Sequence, residues 1–280
     1  MTVLIPAEAI AKTLTIIALS IVIHVSRSLT VSGVFASVVI GVITLFLGGW
    51  GCFIIMLAFL VVGVAFTKYR HREKAPGTLA QEKGGVRSWI NVLANGVPAT
   101  MPIMLEAFYG MDALPVFFLA AVCSAAADTL STEIGLLSKS KPRLITDLRR
   151  KVERGLSGGV TPLGTVAGLI GSISISLMAL VACLTGVPSI LLNVTDFYRL
   201  ALAGSVGGFI GMLIDSLLGA TVQGIYVSKD NGMLYEDPRK CNGECVLIKG
   251  FKHFGNNAVN FLSCLLAGLL SITIYYFPIK

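Results

Sequence analysis

Eight long apolar stretches dominate the sequence, at residues 8 to 24, 31 to 47, 51 to 66, 88 to 106, 112 to 137, 160 to 185, 197 to 225 and 256 to 277. A bilayer core about 30 Å thick takes about 20 apolar residues per spanning helix, so each stretch is read as one span. The second and third cannot be one element, because a helix from Val31 to Phe66 would be about 54 Å long at 1.5 Å per residue. Leu47-Gly48-Gly49-Trp50-Gly51 between them is read as a hairpin turn. No period-two alternation over about ten residues recurs, which argues against an outer-membrane barrel. The expected fold is all-α, a polytopic membrane helix bundle of about eight transmembrane helices in one domain, residues 1–280. Residues 1–87 would hold three helices and a basic loop, and residues 88–280 the helices that carry chemistry, with loops at 138–159 and 226–255.

The composition agrees. At 55% hydrophobic and 13% charged, against about 25% charged for soluble domains, the chain is no water-soluble enzyme, disordered tail or disulfide-stapled module. Charge then orients it. Nineteen of the 22 Lys and Arg follow the first, third, fifth and seventh stretches: Arg27; Lys68, Arg70, Arg72, Lys74, Lys83 and Arg87; Lys139, Lys141, Arg143, Arg149, Arg150, Lys151 and Arg154; Lys229, Arg239, Lys240, Lys249 and Lys252. Only Lys12, Arg199 and Lys280 fall elsewhere, so the large loops are expected in the cytoplasm and both termini outside. The first stretch lacks a basic n-region and a cleavage-site pattern and is read as a retained helix. The net charge of +7 is what topology needs, and no aromatic-interleaved basic stripe accompanies it, so no nucleic-acid partner is expected. Cys52, Cys123, Cys183 and Cys264 lie within spans as small packers. Cys241 and Cys245, in a cytoplasmic loop, are expected to stay reduced around a turn at Asn242-Gly243; with His253 they fall short of a zinc ligand set.

Ionisable side chains inside spans are costly and point to function. The fifth stretch ends Asp128-Thr-Leu-Ser-Thr-Glu133-Ile-Gly135, and the seventh contains Asp215-Ser216. Both run toward the cytoplasm, which places all three acids in that half of the bilayer with no basic residue inside the spans to pair them. The fourth and eighth stretches start on the same side with Arg87, Asn91 and Asn95, and with His253, Asn256, Asn257 and Asn260. Asn91 and Asn95 share one helix face, as do Asn256 and Asn260. A single Asn is accounted for by a hydrogen bond between helices. Three carboxylates at one depth repel, and a divalent cation is the simplest remedy; protonation, as in a proton-coupled transporter, is the alternative. The basic residues from Lys139 to Arg154 exceed what orientation requires, and Ser157-Gly158-Gly159-Val160-Thr161 opens the sixth span behind them. Basic side chains, flexible backbone and a helix N-terminus together make a cradle for polyphosphate, although the P-loop pattern is absent. The three- and four-residue spacing of Gly164, Gly168, Gly204, Gly207, Gly208 and Gly211 is read as close helix packing.

In combination these residues resemble the membrane family that includes plant phytyl-phosphate kinase, of vitamin E and chlorophyll-phytol salvage, with archaeal, bacterial and animal relatives. The resemblance runs from about Arg87 to the C-terminus: Asn91 with Ala94-Asn95-Gly96, Asp128 to Gly135, Lys141-Pro142-Arg143 to Lys151-Val152, Gly158 to Thr161 with Gly164, the Asp215-Ser216-Gly219-Gln223 helix, and Asn256-Asn257-x-x-Asn260. Ser157 stands where that family would have an acidic or amide residue, and the 226 to 252 loop departs from its pattern. The resemblance implies phosphoryl transfer from a nucleoside triphosphate, CTP being the expected donor, to phytyl or geranylgeranyl monophosphate, with Mg2+ as cofactor. Asp128, Glu133 and Asp215 would be the catalytic metal ligands. Lys141, Arg143 and Lys151, with Ser157, Gly158, Gly159 and Thr161, would bind donor phosphates. Asn91, Asn95, Asn256, Asn257 and Asn260 would orient the acceptor phosphate or metal waters, and the isoprenoid tail would lie between helices in the bilayer. The expected location is the cell membrane, multi-pass, with the site facing the cytoplasm; a homo-oligomer is left open. Another CTP-dependent lipid enzyme, a polyprenol kinase or cytidylyltransferase, and a carboxylate-coupled transporter are the rival readings.

Overall fold

A computed structural model describes residues 6–69, 86–111, 113–241 and 243–277. They form eight helices: α1 (Ala7–Val25), α2 (Val31–Phe46), α3 (Gly49–Lys68), α4 (Trp89–Tyr109), α5 (Leu114–Gly135), α6 (Pro162–Leu184), α7 (Phe197–Thr221) and α8 (Asn256–Tyr276). Six of them, all but α2 and α4, are long and apolar enough to cross a membrane; α2 is a shorter apolar helix. The protein is an integral membrane helix bundle. Its α2–α3 break falls at Leu47 and Gly48, where the expected hairpin lies. α7 stops at Thr221 rather than running to residue 225, because the chain turns at Val222 to Gly224 and Ile225 enters a strand.

α5 is the axis. Every residue from Leu114 to Ala127 is buried, and the helix packs on α3, α4, α6, α7 and α8. Its small residues let the neighbours close in. A methyl group on Gly164 would sit 2.6 Å from the Ser131 carbonyl oxygen, and one on Gly204 would sit 2.7 Å from the Leu119 side chain. The glycine spacing is thus the contact surface of α6 and α7, as expected for helices without a hydrophobic drive between them. α1 lies at the periphery, with Ile16 its one buried residue.

Two small antiparallel sheets stand outside the helices. One has the order β2-β1-β3, with β1 (Arg143–Leu144), β2 (Asp147–Lys151) and β3 (Gly159–Val160); the other has the order β5-β4-β6, with β4 (Ile225–Ser228), β5 (Leu234–Tyr235) and β6 (Cys245–Lys249). Ser157 donates a hydrogen bond to Glu236, tying the two loops together. Asn91 bonds Asn257, and Leu29 bridges Arg87, so the connections after α1, α3, α5 and α7 gather at one end. Glu106 bonds Asn193 and Gly49 bridges Ser189 at the other. Of the remaining basic residues, Lys12 pairs with Glu8 at 2.9 Å and Arg199 with Asp196 at 3.3 Å. Arg70, Arg72, Lys74, Lys83, Lys280 and Asn242 lie outside the described residues.

The structure corrects one expectation in the second loop: Cys241 and Cys245 are joined in a disulfide. The turn between them, with Gly243 at φ +89, brings their Cα atoms to 6.4 Å, which is bridging range.

Candidate active site

The helix registers decide where the acids meet. α7 runs parallel to α5, with Gly204 against Leu119, Gly208 against Cys123 and Gly211 against Ser124. α8 runs antiparallel to both and presents Ala267 at the Gly211 contact. One turn further along each helix stand Asp128, Asp215 and Ser263, because residues four apart share a face. Ser263 Oγ donates to Asp215 Oδ2 at 3.0 Å, and Cys264 on α8 is in electrostatic range of both Asp215 and Asp128. Asp128 and Asp215 therefore converge at the basic end, one helical turn past a three-helix clamp of Ser124, Gly211 and Ala267.

The carboxamides come to the same place. Asn91 caps α4 from inside, its Oδ1 accepting from the Ser88 N–H at 2.9 Å, and its Nδ2 donates to Asn257 Oδ1 at 2.8 Å. Asn260, with its amide oriented to satisfy its neighbours, donates to Asp215 Oδ2 at 3.2 Å and to the Asn256 carbonyl at 3.0 Å. Asn95 donates to the Asn91 carbonyl at 3.4 Å and accepts a 3.8 Å bond from Cys264 Sγ. Asn91, Asn95, Asn257 and Asn260 thus tie α4 and α8 into one polar network beside Asp215.

Glu133 takes a different part from that expected. Its Oε1 accepts from Thr67 Oγ1 at 2.7 Å, and the Arg87 guanidinium feels Glu133 first and Asp128 second. Gly63 on α3 makes room for that guanidinium, since a methyl group there would stand 3.1 Å from Nη1. No basic residue was expected inside the spans to pair the acids; the cation that reaches them, Arg87, comes from just outside, at the mouth of α4, and folds back among them. Among the described residues no group of three or more His, Cys, Asp and Glu could hold a metal ion. The donors that remain together, two carboxylates and neighbouring carboxamide oxygens, still suit Mg2+, which commonly takes one or two carboxylates and completes its shell with substrate phosphates and water.

Lys141, just before the first sheet, and Arg143 and Lys151 within it are exposed. Arg143 Nη1 donates to the Leu148 carbonyl at 2.6 Å, and Lys141 lies 3.7 Å from Glu153. The glycine turn beside them is spent on structure. Gly158 has φ +84, and a methyl group on it would collide with the Ala220 backbone at 2.6 Å. The Gly159 N–H donates to Leu156, and Thr161 Oγ1 accepts the Gly164 N–H at 3.0 Å as the cap of α6. The groups left for phosphate at this edge are the basic side chains. Glu236 supplies, from the second loop, a carboxylate next to Ser157, where sequence comparison expected an acidic or amide residue. Lys249 lies near both Glu236 and Arg150 and donates to the Gly219 carbonyl at 3.0 Å, at the end of α7. Burial holds its ammonium below the ordinary lysine range, opposed by Glu236 and helped by Arg150.

Two buried polar groups were given no role by the sequence, although Gln223 lies in one of the motifs quoted above. Glu106, the last residue of the fourth stretch, accepts from Asn193 Nδ2 at 2.9 Å while its second oxygen has no partner among the described residues. Gln223 has a fully buried side chain with neither amide atom bonded among the described residues. Its spacing from Asp215 and Gly219, eight and four residues, was the signal available, since continued helix would set all three on one face, although α7 ends at Thr221.

The family model for "Integral membrane protein DUF92" matches residues 14–268. The chain belongs to this family of integral membrane proteins. An uncharacterized membrane protein of Methanocaldococcus jannaschii is 30% identical over 263 residues, 94% of this chain and 92% of that protein. Protein PGR of Arabidopsis thaliana is 29% identical over 266 residues, 88% of each chain. Protein VTE6, chloroplastic, also of Arabidopsis thaliana, is 25% identical over 278 residues, 98% of this chain and 73% of its own. No solved structure matches the chain.

Proposed function

We propose that this DUF92 protein is a membrane prenyl-phosphate kinase. It would transfer the terminal phosphoryl group of a nucleoside triphosphate, CTP by preference, to phytyl or geranylgeranyl monophosphate. The observation that carries the reading is the meeting of Asp128 and Asp215 with Arg87 and four Asn side chains at the basic end of a membrane bundle. The resemblance of its motifs to the phytyl-phosphate kinase family supports the acceptor class. By the excess of Lys and Arg at that end, the site faces the cytoplasm of a multi-pass cell-membrane protein.

A prenyl monophosphate is already anionic near neutral pH, so the reaction needs no strong base. An acceptor phosphate oxygen attacks the terminal phosphorus of the donor, that phosphorus breaks its bond to the bridging oxygen, and the nucleoside diphosphate leaves. Catalysis then rests on positioning and charge neutralisation. Asp128 and Asp215 would hold Mg2+ brought with the nucleotide, and the ion supplies positive charge to the transferring phosphoryl group. Arg87 and Asn95 orient the acceptor phosphate. Lys141, Arg143 and Lys151 gather the donor's phosphates from the water side, and Glu133 keeps Arg87 in place from behind.

The test is detergent-purified protein with phytyl or geranylgeranyl monophosphate, each nucleoside triphosphate in turn, and Mg2+. The expected product is the prenyl diphosphate, with CTP giving the highest rate. Asp128→Asn and Asp215→Asn should each lower kcat by about 10²-fold or more while leaving the melting temperature near wild type. Release of pyrophosphate, or use of a free prenol, would point to the other lipid enzymes. Solute movement in sealed vesicles without nucleotide turnover would replace the reading with a transporter.

A further inference from the structure

A cleft of about 110 Å³, open along one side, lies between α1, α2, α3 and the start of α4. One end is polar and belongs to the active site: Arg87, Asn91 and Asn95 line it. The rest is hydrocarbon. The three hydroxyls on its wall are already spent within their own helices: Ser20 donates to the Ile17 carbonyl at 2.8 Å, Ser37 to Val34 at 2.8 Å and Thr44 to Ile40 at 2.7 Å. Among the described residues no hydroxyl along that wall is left without a partner, so the wall presents apolar surface to whatever enters.

The cleft has a direction. At the Arg87 end α2 and α4 meet where Gly33 abuts the Arg87 carbonyl, and at the far end where Gly96 abuts Ile40. Beyond that contact α1 leans on α2, a methyl group on Gly41 standing 3.1 Å from Ile16 Cδ1. From Ile23 to Ile16 on α1, or from Leu60 to Phe53 on α3, the wall runs about 10 Å along the helix axes at 1.5 Å per residue. An apolar slot about a third of a bilayer core deep, with a guanidinium at its mouth, complements a chain amphiphile whose head is anionic.

We propose that this cleft takes the hydrocarbon chain of a prenyl monophosphate, with the phosphate held at Arg87 and Asn95. The assignment rests on the kinase reading for the identity of the head group; the location of the chain rests on the cleft. It makes α1 to α3 the chain-reading half of the molecule, with Ser37, Gly41 and Thr44 marking successive depths. Bulk at Ser37 blocks long chains and spares a head group that carries little chain.

The experiment uses the purified full chain and a photoreactive geranyl monophosphate with a diazirine at its chain end, followed by peptide mass spectrometry. Adducts are expected within Ile16–Ile23, Ser37–Thr44 or Phe53–Leu60, displaced by geranylgeranyl monophosphate and not by inorganic phosphate. Labelling confined to the outer faces of α6 and α7, or undiminished by the competitor, would overturn the assignment. In parallel, Ser37→Phe should raise KM for geranylgeranyl monophosphate by about tenfold or more, with kcat and KM for dimethylallyl monophosphate within about twofold of wild type. Equal loss on both acceptors, or no change on either, would count against the cleft, and labelling of the wild type decides the matter should the variant not fold. Saturable labelling of the cleft without diphosphate formation would remove the kinase and keep the site. Diphosphate formation with labelling elsewhere would do the reverse.

Discussion

The convergence of Asp128 and Asp215 depends on how closely α5, α7 and α8 approach at Gly211, and that approach can be loosened by one methyl group. In Gly211→Ala the new Cβ would stand 2.6 Å from Ala267 Cβ and 2.8 Å from Ser124 Cβ. Carbon atoms pack comfortably at about 3.5–4.0 Å, so each neighbour must withdraw by about 1 Å. Overpacking of this kind costs about 1–3 kcal/mol, offset by about 1 kcal/mol from replacing a mid-helix glycine with alanine. The net loss of about 0–2 kcal/mol should move the melting temperature by only a few degrees. The catalytic consequence is larger, because a misplacement of about 1 Å can cost about 10²-fold in rate. The assay is prenyl diphosphate formation at saturating substrates alongside thermal unfolding in detergent. The expected result is a rate down by about 10²-fold in a protein that still melts near wild type, with partial recovery when Ser124→Gly is added. Full activity in Gly211→Ala would show that the clamp does not set the distance between the two acids, and the site as drawn would be wrong.

Three further outcomes follow from the same packing. Glu133→Gln keeps an acceptor for Thr67 but withdraws the first counter-charge of Arg87; because Asp128 remains, stability should fall by about 1–3 kcal/mol rather than the 3–5 of a fully orphaned buried charge, and Arg87→Met in that background should recover part of it in denaturant titrations. Gln223→Met removes two buried amide atoms that have no partner among the described residues, so it should stabilise the protein by about 1–3 kcal/mol; a lower melting temperature would show that the amide is engaged. Lys249 is held below the ordinary lysine value of 10.5, so its protonated form opposes folding at lower pH and that opposition fades as pH rises toward 10.5. Wild type should therefore gain stability relative to Lys249→Met over that rise, measured as the difference in their melting temperatures.

Apolar length alone made the bundle legible. Most helix ends lie within a residue or two of the stretches read from sequence, because bilayer thickness fixes how long each run must be. What stayed hidden were elements without that constraint. β1, β3 and β5 are two residues each, and β2 is exposed throughout, so no alternating pattern marks them. The acids Asp128 and Asp215 were visible as charges inside spans, and the glycines facing Ser124 and Cys123 gave the reason they meet. Arg87 was visible at the start of the fourth stretch but not as a partner of the acids. Its turn toward Glu133 depends on Gly63, a residue on a different helix whose contribution is the absence of a side chain. Glu106 was overlooked for a similar reason: it ends its stretch, and its partner Asn193 comes from a connection between spans.

Arg87 also explains why the two halves of the chain work as one site. α1 to α3 supply the apolar walls of the slot, and α5, α7 and α8 bring the carboxylates together. Arg87 lines the slot and faces Glu133 and Asp128 at the same time. An anionic head group arriving at the slot would compete with those carboxylates for the guanidinium, which favours a magnesium nucleotide beside Asp128. On this account Arg87→Lys, which keeps the charge but loses the fork that can contact a carboxylate and a phosphate together, should impair acceptor binding more than it impairs stability.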